Sequence, residues 1–284
     1  MVENRPLTAF LTHLVLILGV IAIALPVWIT FVAATHDQLR MNQAPLPLWP
    51  GDHFLENMKQ TLFGSGLSGT EGAPVWLMLL NSLAMALMIS TGKIAISLLS
   101  AFAIVYFKFP FRMGFFWMIF ITLMLPVEVR ILPTFEVVAN LGMLNSYWGL
   151  SIPLIASATA TFMFRQVFLT VPDELLESAR IDGAGPLRFF FDILLPLSRT
   201  NIAALFVILF IFGWNQYLWP LLVTTDTSMT TIVMSIKQML EAAEQSPQWN
   251  IIMTTALLAM IPPVFVVIAM QKLFVQGLTE SAPV

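Results

Sequence analysis

Cysteine is absent from this chain and charge is scarce: of 284 residues none is Cys, and only 10% are Asp, Glu, Lys or Arg. The first absence excludes disulfides and thiolate-held metal. The three histidines, His13, His36 and His53, all stand before the second hydrophobic run and lack ligand spacing, so no metal centre is expected. Net charge is only −3 and no basic cluster occurs, which argues against nucleic acid as a partner. There is no Gly-rich loop ending in Lys-Ser or Lys-Thr, so the chain carries no such phosphate loop of its own. Nothing resembles a nucleophile with its base, an acid/base pair or a metal-water site, and no catalytic residue is expected. Internal repeats and low-complexity tracts are missing too, and residues 1–284 read as a single domain.

What the chain has instead is apolar surface. Hydrophobic residues make up 58% of it, and the mean hydropathy is +0.86. Runs of about 18 or more mostly apolar residues recur along its length, which makes it an integral membrane protein rather than one with a single anchor. Six spans can be drawn: Leu14–Ala34, Val75–Phe107, Met113–Leu132, Tyr147–Phe168, Ile202–Val223 and Ile251–Phe274. The first lacks a small-residue cleavage site and is read as retained. The second, about 50 Å of helix, exceeds the hydrocarbon core and must tilt or project. Pro26, Pro126, Pro153, Pro220 and the pair Pro262-Pro263 fall within or at the ends of spans, where neighbouring helices tolerate kinks. The expected fold class is all-α, a polytopic membrane protein with six transmembrane helices.

The balance of Lys and Arg sets the orientation. With the N-terminus inside, Arg5, Lys108, Arg112, Arg165, Arg180, Arg188, Arg199 and Lys272 are cytoplasmic, against Arg40, Lys59 and Lys237 outside. Both termini are then cytoplasmic. The Pro- and Gly-rich loop Thr35–Pro74 and the segment Thr224–Asn250 are external, and the charged segment Thr170–Pro196 is internal.

That internal segment is the polar, charge-rich exception in the chain. Thr170 with Pro172 and Asp173 predicts a helix start with a hydroxyl cap and acidic residues near the positive dipole end. The helix runs to about Ile181. Asp182-Gly183-Ala184-Gly185 breaks it, and Pro186 opens a second short helix through Phe189, Phe190 and Ile193 to a break at Pro196. Ala179, Gly183 and Ala184 are small enough for a close approach, while Glu174 and Glu177 supply charge. Either the segment docks a soluble partner or it is a solvated amphipathic loop.

The spacing of Glu177-Ser178-Ala179, Asp182-Gly183-Ala184 and Ile193-x-Leu195-Pro196 closely resembles the EAA loop of binding-protein-dependent ABC importer permeases. Ser178 stands where that family usually has Ala. Trp214-Asn215-Gln216-Tyr217-Leu-Trp219-Pro220-Leu is similar to an element of the carbohydrate-type members, those like the second maltose permease subunit, with Gln216 in place of the frequent Glu. Asn81-Ser-Leu and the ending Gln271-Lys-x-Phe274-x-x-Gly277-Leu-Thr279 carry the same likeness. The resemblance implies a type I permease with a cytoplasmic coupling helix, in which Glu174, Glu177, Ala179, Asp182, Gly183, Ala184, Phe190 and Pro196 meet an ATPase subunit. It also implies the partners: a second, different permease, two ATP-binding subunits, a periplasmic solute-binding protein and lipid of a bacterial inner membrane. ATP and Mg belong to the partner ATPase, and no cofactor is expected in this chain.

The opening Glu3-Asn-Arg-Pro and the stretch Phe116-Trp117 through Pro126-Val-Glu128-Val-Arg130-Ile resemble the permeases of glycerol-3-phosphate and glycerophosphodiester importers, which implies a phosphorylated polyol as the solute. Arg130 offers a permanently charged planar fork suited to phosphate. Its structural alternative is a pair with Glu128 or another carboxylate; two residues apart on a helix, Glu128 and Arg130 do not face each other. Lys93, a second intramembrane cation, either reaches the pathway or is balanced by a neighbouring helix. Trp214, Asn215, Gln216 and Tyr217 either line the path or bind adjacent helices. Other readings are a permease for a neutral sugar and an ion-coupled secondary transporter. The latter needs paired intramembrane carboxylates, and Glu128 is the only acidic residue near a span interior.

Overall fold

A computed structural model of the chain describes residues 6–64, 73–124, 127–243 and 248–280. The regular elements among the described residues are all helices, with no strand. The helices gather into two compact units, 1–77 with 235–261 and 78–234 with 262–284. Pro126 and the Glu3-Asn-Arg part of the opening, used above, lie outside the described residues, as do the side chains of Pro6 and Glu128.

Three helices are long and apolar enough to cross a membrane unbroken, within Pro6–Ala34, Val75–Tyr106 and Trp249–Glu280. These are the first, second and sixth expected spans. The other three were expected as helices but are built from pieces. The third comprises Arg112–Ile121, a 3-10 turn at Thr122–Met124 and Val127–Asn140, so Arg130 sits in the first turn of a new helix rather than near the outer end of a long one. The fourth joins Tyr147–Leu154 to Ala158–Leu169 at a 53° bend. There Pro153 lies in a 3-10 turn, and Ser157 restarts the helix by accepting from the Ala160 N–H at 3.2 Å. The fifth stops at Trp214 and resumes as Leu218–Val223. Pro220 has no N–H for the Gln216 carbonyl, so it is accommodated in the first turn of a fresh helix, where no intrahelical donor is required.

In the first unit, helix Pro6–Ala34 is almost bare: only 6% of its most apolar window is buried. Its end is tied to the following loop. Thr35 accepts the Gly51 N–H at 2.7 Å and Trp28 donates to the Leu48 carbonyl at 3.1 Å. Buried Asn57, on helix Phe54–Phe63, donates to the Ala34 and His36 carbonyls and accepts from Asn250 at 2.9 Å. Residues 35–57 of the Pro- and Gly-rich loop are therefore tied to the end of this helix, largely through the Asn57 amide.

In the second unit, Ile94, Leu98, Ala101 and Phe102 recur at the spacing of one helix face and meet Phe164 and Phe168 of Ala158–Leu169 and Leu205 and Leu209 of Arg199–Trp214. Between helices in lipid, packing and close approach replace the hydrophobic drive. Gly213 shows the approach: a Cβ there would stand 3.0 Å from the Ala86 Cα, which is backbone and cannot turn aside. Gly92 likewise sits against Ile155. Gly213→Val is therefore expected to destabilise the purified protein by about 1–3 kcal/mol. Gly19→Ala, with nothing within 4 Å, is expected to be neutral or slightly stabilising through helix propensity. Thermal midpoints of the two detergent-solubilised variants check this; equal midpoints would contradict the close-approach reading.

Candidate functional site

The charged segment folds as two short helices joined by a glycine turn. Asp173–Ile181 begins after Pro172, with Asp173 and Glu174 in its first turn and Arg180 in its last, charges that complement the helix dipole. The expected Thr170 cap is not used. Thr170 ends the preceding helix and its hydroxyl donates to the Val167 carbonyl at 2.7 Å, because it stands three residues ahead of the new helix. Asp182 closes the helix, and Gly183 takes φ +74°, the left-handed region that costs an L-residue about 1–2 kcal/mol. The Ala184 N–H returns to the Ala179 carbonyl at 2.8 Å, completing the turn.

The second helix starts at Pro186 and passes through a π-helical turn at Phe190–Leu194. It does not break at Pro196. The wider turn, whose residues include Asp192 four before the proline, relieves the clash a proline makes with that carbonyl, and the helix continues to Leu197. The bend, 73° into helix Arg199–Trp214, falls at buried Ser198.

Burial divides the motif residues into two groups. Ala179, Phe190 and the neighbouring Phe189 are buried in one cluster with Phe102, Phe164 and Phe168, and Ala184 packs against it. The Phe189 ring meets Tyr106 edge-on at 5.2 Å, and Phe190 lies 4.9 Å from Phe102. Ala179 is thus small because it is pressed against the chain's own membrane helices. Pro196 is half-buried. Glu174, Glu177, Asp182 and Gly183 face outward, and a side chain at Gly183 would meet nothing within 4 Å. Ile181 is exposed beside them at 86%, the highest value for a large apolar side chain among the described residues. Sequence reading passed over it; its apolar character at the end of an otherwise charged helix was the available signal. The outward face thus combines acids, open glycine and bare isoleucine.

The second constellation surrounds the break after Trp214. Trp214 is buried and stacked on Phe210, ring centroids 6.0 Å apart, so the indole belongs to the packing. Asn215 is exposed and its N–H ends the helix on the Ile211 carbonyl. Half-buried Gln216 donates its side-chain amide to the Phe212 carbonyl at 3.0 Å, and Tyr217 begins the next helix. Trp219 donates to the Gly149 carbonyl at 3.1 Å. These groups satisfy a broken backbone inside an apolar bundle.

Across from this break stands Lys93. It is 7% exposed, and its Nζ lies 3.8 Å from the centroid of the Phe212 ring. No carboxylate among the described residues pairs with it. A cation over an aromatic face gains about 0.5–2 kcal/mol, less than the several kcal/mol an ammonium loses on leaving water. Arg130 is exposed and likewise has no carboxylate partner among the described residues. Its helix neighbour Ile131 packs on the cluster formed by Met85 and Ile89, one turn before Lys93. Arg165, by contrast, lies over the Phe116 ring at 4.5 Å.

Two polar anchors were not singled out for these contacts. Asn81 donates to the Ser228 and Thr230 carbonyls and accepts from the Tyr147 hydroxyl at 2.7 Å, while Ser82 accepts the Ile232 N–H. Asn145 accepts from the Thr225 and Asp226 N–H groups. Asp226 in turn accepts from Ser228, and those bonds hold its carboxyl below the usual range. Asn81-Ser82 was read only as part of a family pattern; its partners lie far along the chain.

Residues 93–280 match the family model described as binding-protein-dependent transport system inner membrane component. Over 281 residues, 99% of each chain, the protein is 58% identical to the sn-glycerol-3-phosphate transport system permease protein UgpE of Agrobacterium fabrum. It is 59% identical to that of Salmonella typhi and 57% to that of Brucella melitensis over the same coverage. Its fold is similar to a chain of a crystal structure of a bacterial ABC transporter involved in the import of the acidic polysaccharide alginate, with TM-score 0.79, 17% identity, and 96% and 98% of the two chains covered. The helical, multi-pass architecture of the described residues and the matched family agree: this chain belongs to the inner-membrane permease components of binding-protein-dependent ABC importers.

Proposed function

We propose that the chain is one of two different permease subunits of an inner-membrane importer for sn-glycerol-3-phosphate or glycerophosphodiesters, acting as a single permease domain with both termini cytoplasmic. Two ATP-binding subunits, which hold ATP and Mg, close on its segment 173–197, and a periplasmic binding protein delivers the solute. The chain itself holds no cofactor. The observation that carries this reading is the 57–59% identity, over 99% of the chain, to glycerol-3-phosphate permeases. Lys93 and Arg130, neither paired with a carboxylate among the described residues, favour an anionic solute over a neutral sugar.

The exposed acids, Ile181 and Gly183 support the ATPase-docking role of the segment, while Ala179, Ala184, Phe190 and Pro196 support it from behind. Closure of the ATPases then moves a body already packed on three membrane helices. In the reconstituted complex, Gly183→Leu is expected to insert normally and to lose at least tenfold, about 1.4 kcal/mol, of binding-protein-stimulated ATP hydrolysis. Glu177→Ala is expected to weaken it only partially, as for one exposed charge contact of up to about 1 kcal/mol. Full stimulation in Gly183→Leu would refute docking here.

Orientation is tested by cysteine introduction into the Cys-free chain. A thiol replacing Asp52 is expected to react with an impermeant reagent from the periplasm, and one replacing Arg188 only after permeabilisation. Labelling of position 188 from outside would reverse the topology.

For the solute, Arg130→Gln is expected to cut uptake of radiolabelled sn-glycerol-3-phosphate at least tenfold while assembly and basal ATP hydrolysis persist. Arg130→Lys restores it partly, because a point charge lacks the bidentate fork. Unchanged uptake would remove Arg130 from the pathway. Loss of assembly in both variants would instead identify a structural ion pair.

A further inference from the structure

We propose that Lys93 is a second solute-contacting cation, acting with Arg130 on the doubly charged phosphate as it passes the break after Trp214; this rests on the anionic-solute reading above. Lys93 is nine-tenths buried on helix Val75–Tyr106, with Ile89 and Ser97, one turn to either side, fully buried. Its ammonium is directed across to Phe212. Phe212 is itself 41% exposed, so the ring that receives the charge lies at the surface of this chain rather than in a sealed core. One turn on, Gln216 is tied to the Phe212 carbonyl, which places the break beside the same ring.

The surrounding backbone sets this geometry. Gly213, next to Phe212, is pressed on Ala86, and Gly92, next to Lys93, is pressed on Ile155. The lysine is therefore held at a fixed crossing of packed helices. Arg130 reaches the same neighbourhood through Ile131, packed on the Ile89 cluster, and lies within electrostatic range of Lys93. Two cations that repel each other, with no carboxylate between them among the described residues, define a place that an anion stabilises.

The chemistry fits a phosphate monoester. Its charge of about −1.5 to −2 at pH 7 and its three acceptor oxygens match one bidentate guanidinium and one ammonium with three donors. The aromatic face gives the lysine a resting partner when the phosphate has gone. Such a partial substitute suits a transit site, which must bind strongly enough to admit the solute and weakly enough to release it.

The test uses the full importer in proteoliposomes, with wild type, Lys93→Met and Lys93→Arg, measuring uptake of sn-glycerol-3-phosphate. Lys93→Met is expected to assemble, to keep binding-protein-stimulated ATP hydrolysis, and to lose uptake at least tenfold at about pH 8, where the phosphate carries two charges. The deficit relative to wild type should shrink to about threefold or less at about pH 5, below the second phosphate pKa near 6. Lys93→Arg should stay within about threefold at both. Wild-type uptake by Lys93→Met, a deficit equal at both pH values, or failure of Lys93→Met to assemble would each overturn the assignment; the last two mean a structural lysine. A wild-type complex that moves no phosphomonoester would overturn the solute reading itself and this inference with it, whereas wild-type transport with an unaffected Lys93→Met removes Lys93 alone.

Discussion

Within a hydrocarbon layer every backbone N–H and C=O must find its partner inside the protein, and this constraint governs where the chain can stop being a helix. Each interruption carries a polar side chain or a tightened turn that takes up released groups. Ser146 accepts the Gly149 N–H and Ser157 the Ala160 N–H; Gln216 donates to the Phe212 carbonyl; Trp219 reaches Gly149. Polar residues in an apolar bundle thus become the hinges at which spans are divided, and the two cations stand close to one such division.

The charged segment obeys the constraint differently. Its inner side is aromatic and packs on three membrane helices, and its outer side carries acids and an open glycine turn. Because Ala179 and Phe190 are embedded with Phe102, Phe164 and Leu205, a push on the outer side cannot be absorbed by the segment alone. Close-packed interiors transmit displacement rather than damp it. The local pattern of small and large residues therefore has a mechanical meaning that concerns this chain's own core as much as a partner.

Much of the architecture was legible in the sequence. Val75–Tyr106 begins where the hydrophobic run begins and ends one residue before the expected Phe107, and the first charged helix ends at Ile181 as expected. Long apolar periodicity survives any tertiary context. Pro153 and Pro220 marked the fourth and fifth spans for kinks, but that the helices stop there and restart did not show, because a three-residue interruption such as Asn215–Tyr217 hardly alters hydropathy averaged over a whole span. Thr170 and Pro196 misled for a related reason: a capping residue or a proline signals a discontinuity, but whether it closes one helix, opens the next or is absorbed by a π-helical turn depends on the neighbouring register. Of the intramembrane groups, Lys93 was conspicuous as a charge, while Phe212 was one of 23 phenylalanines with nothing to mark it. Contacts such as Lys93 with Phe212, or Asn81 with Thr230, join distant parts of the chain and leave no trace in a single sequence.

The π-helical turn at Phe190–Leu194 holds one residue more than an α turn in the same length of axis. An α-helix advances about 100° per residue, so that surplus sets the angular phase between the aromatic anchor at Phe189 and everything downstream of Ser198. Because the chain then bends by 73° at Ser198, a change of phase upstream re-aims the following membrane helix instead of spinning it about its own axis. Loss or gain of a single residue there would carry the ring of Phe212 away from the ammonium it now faces.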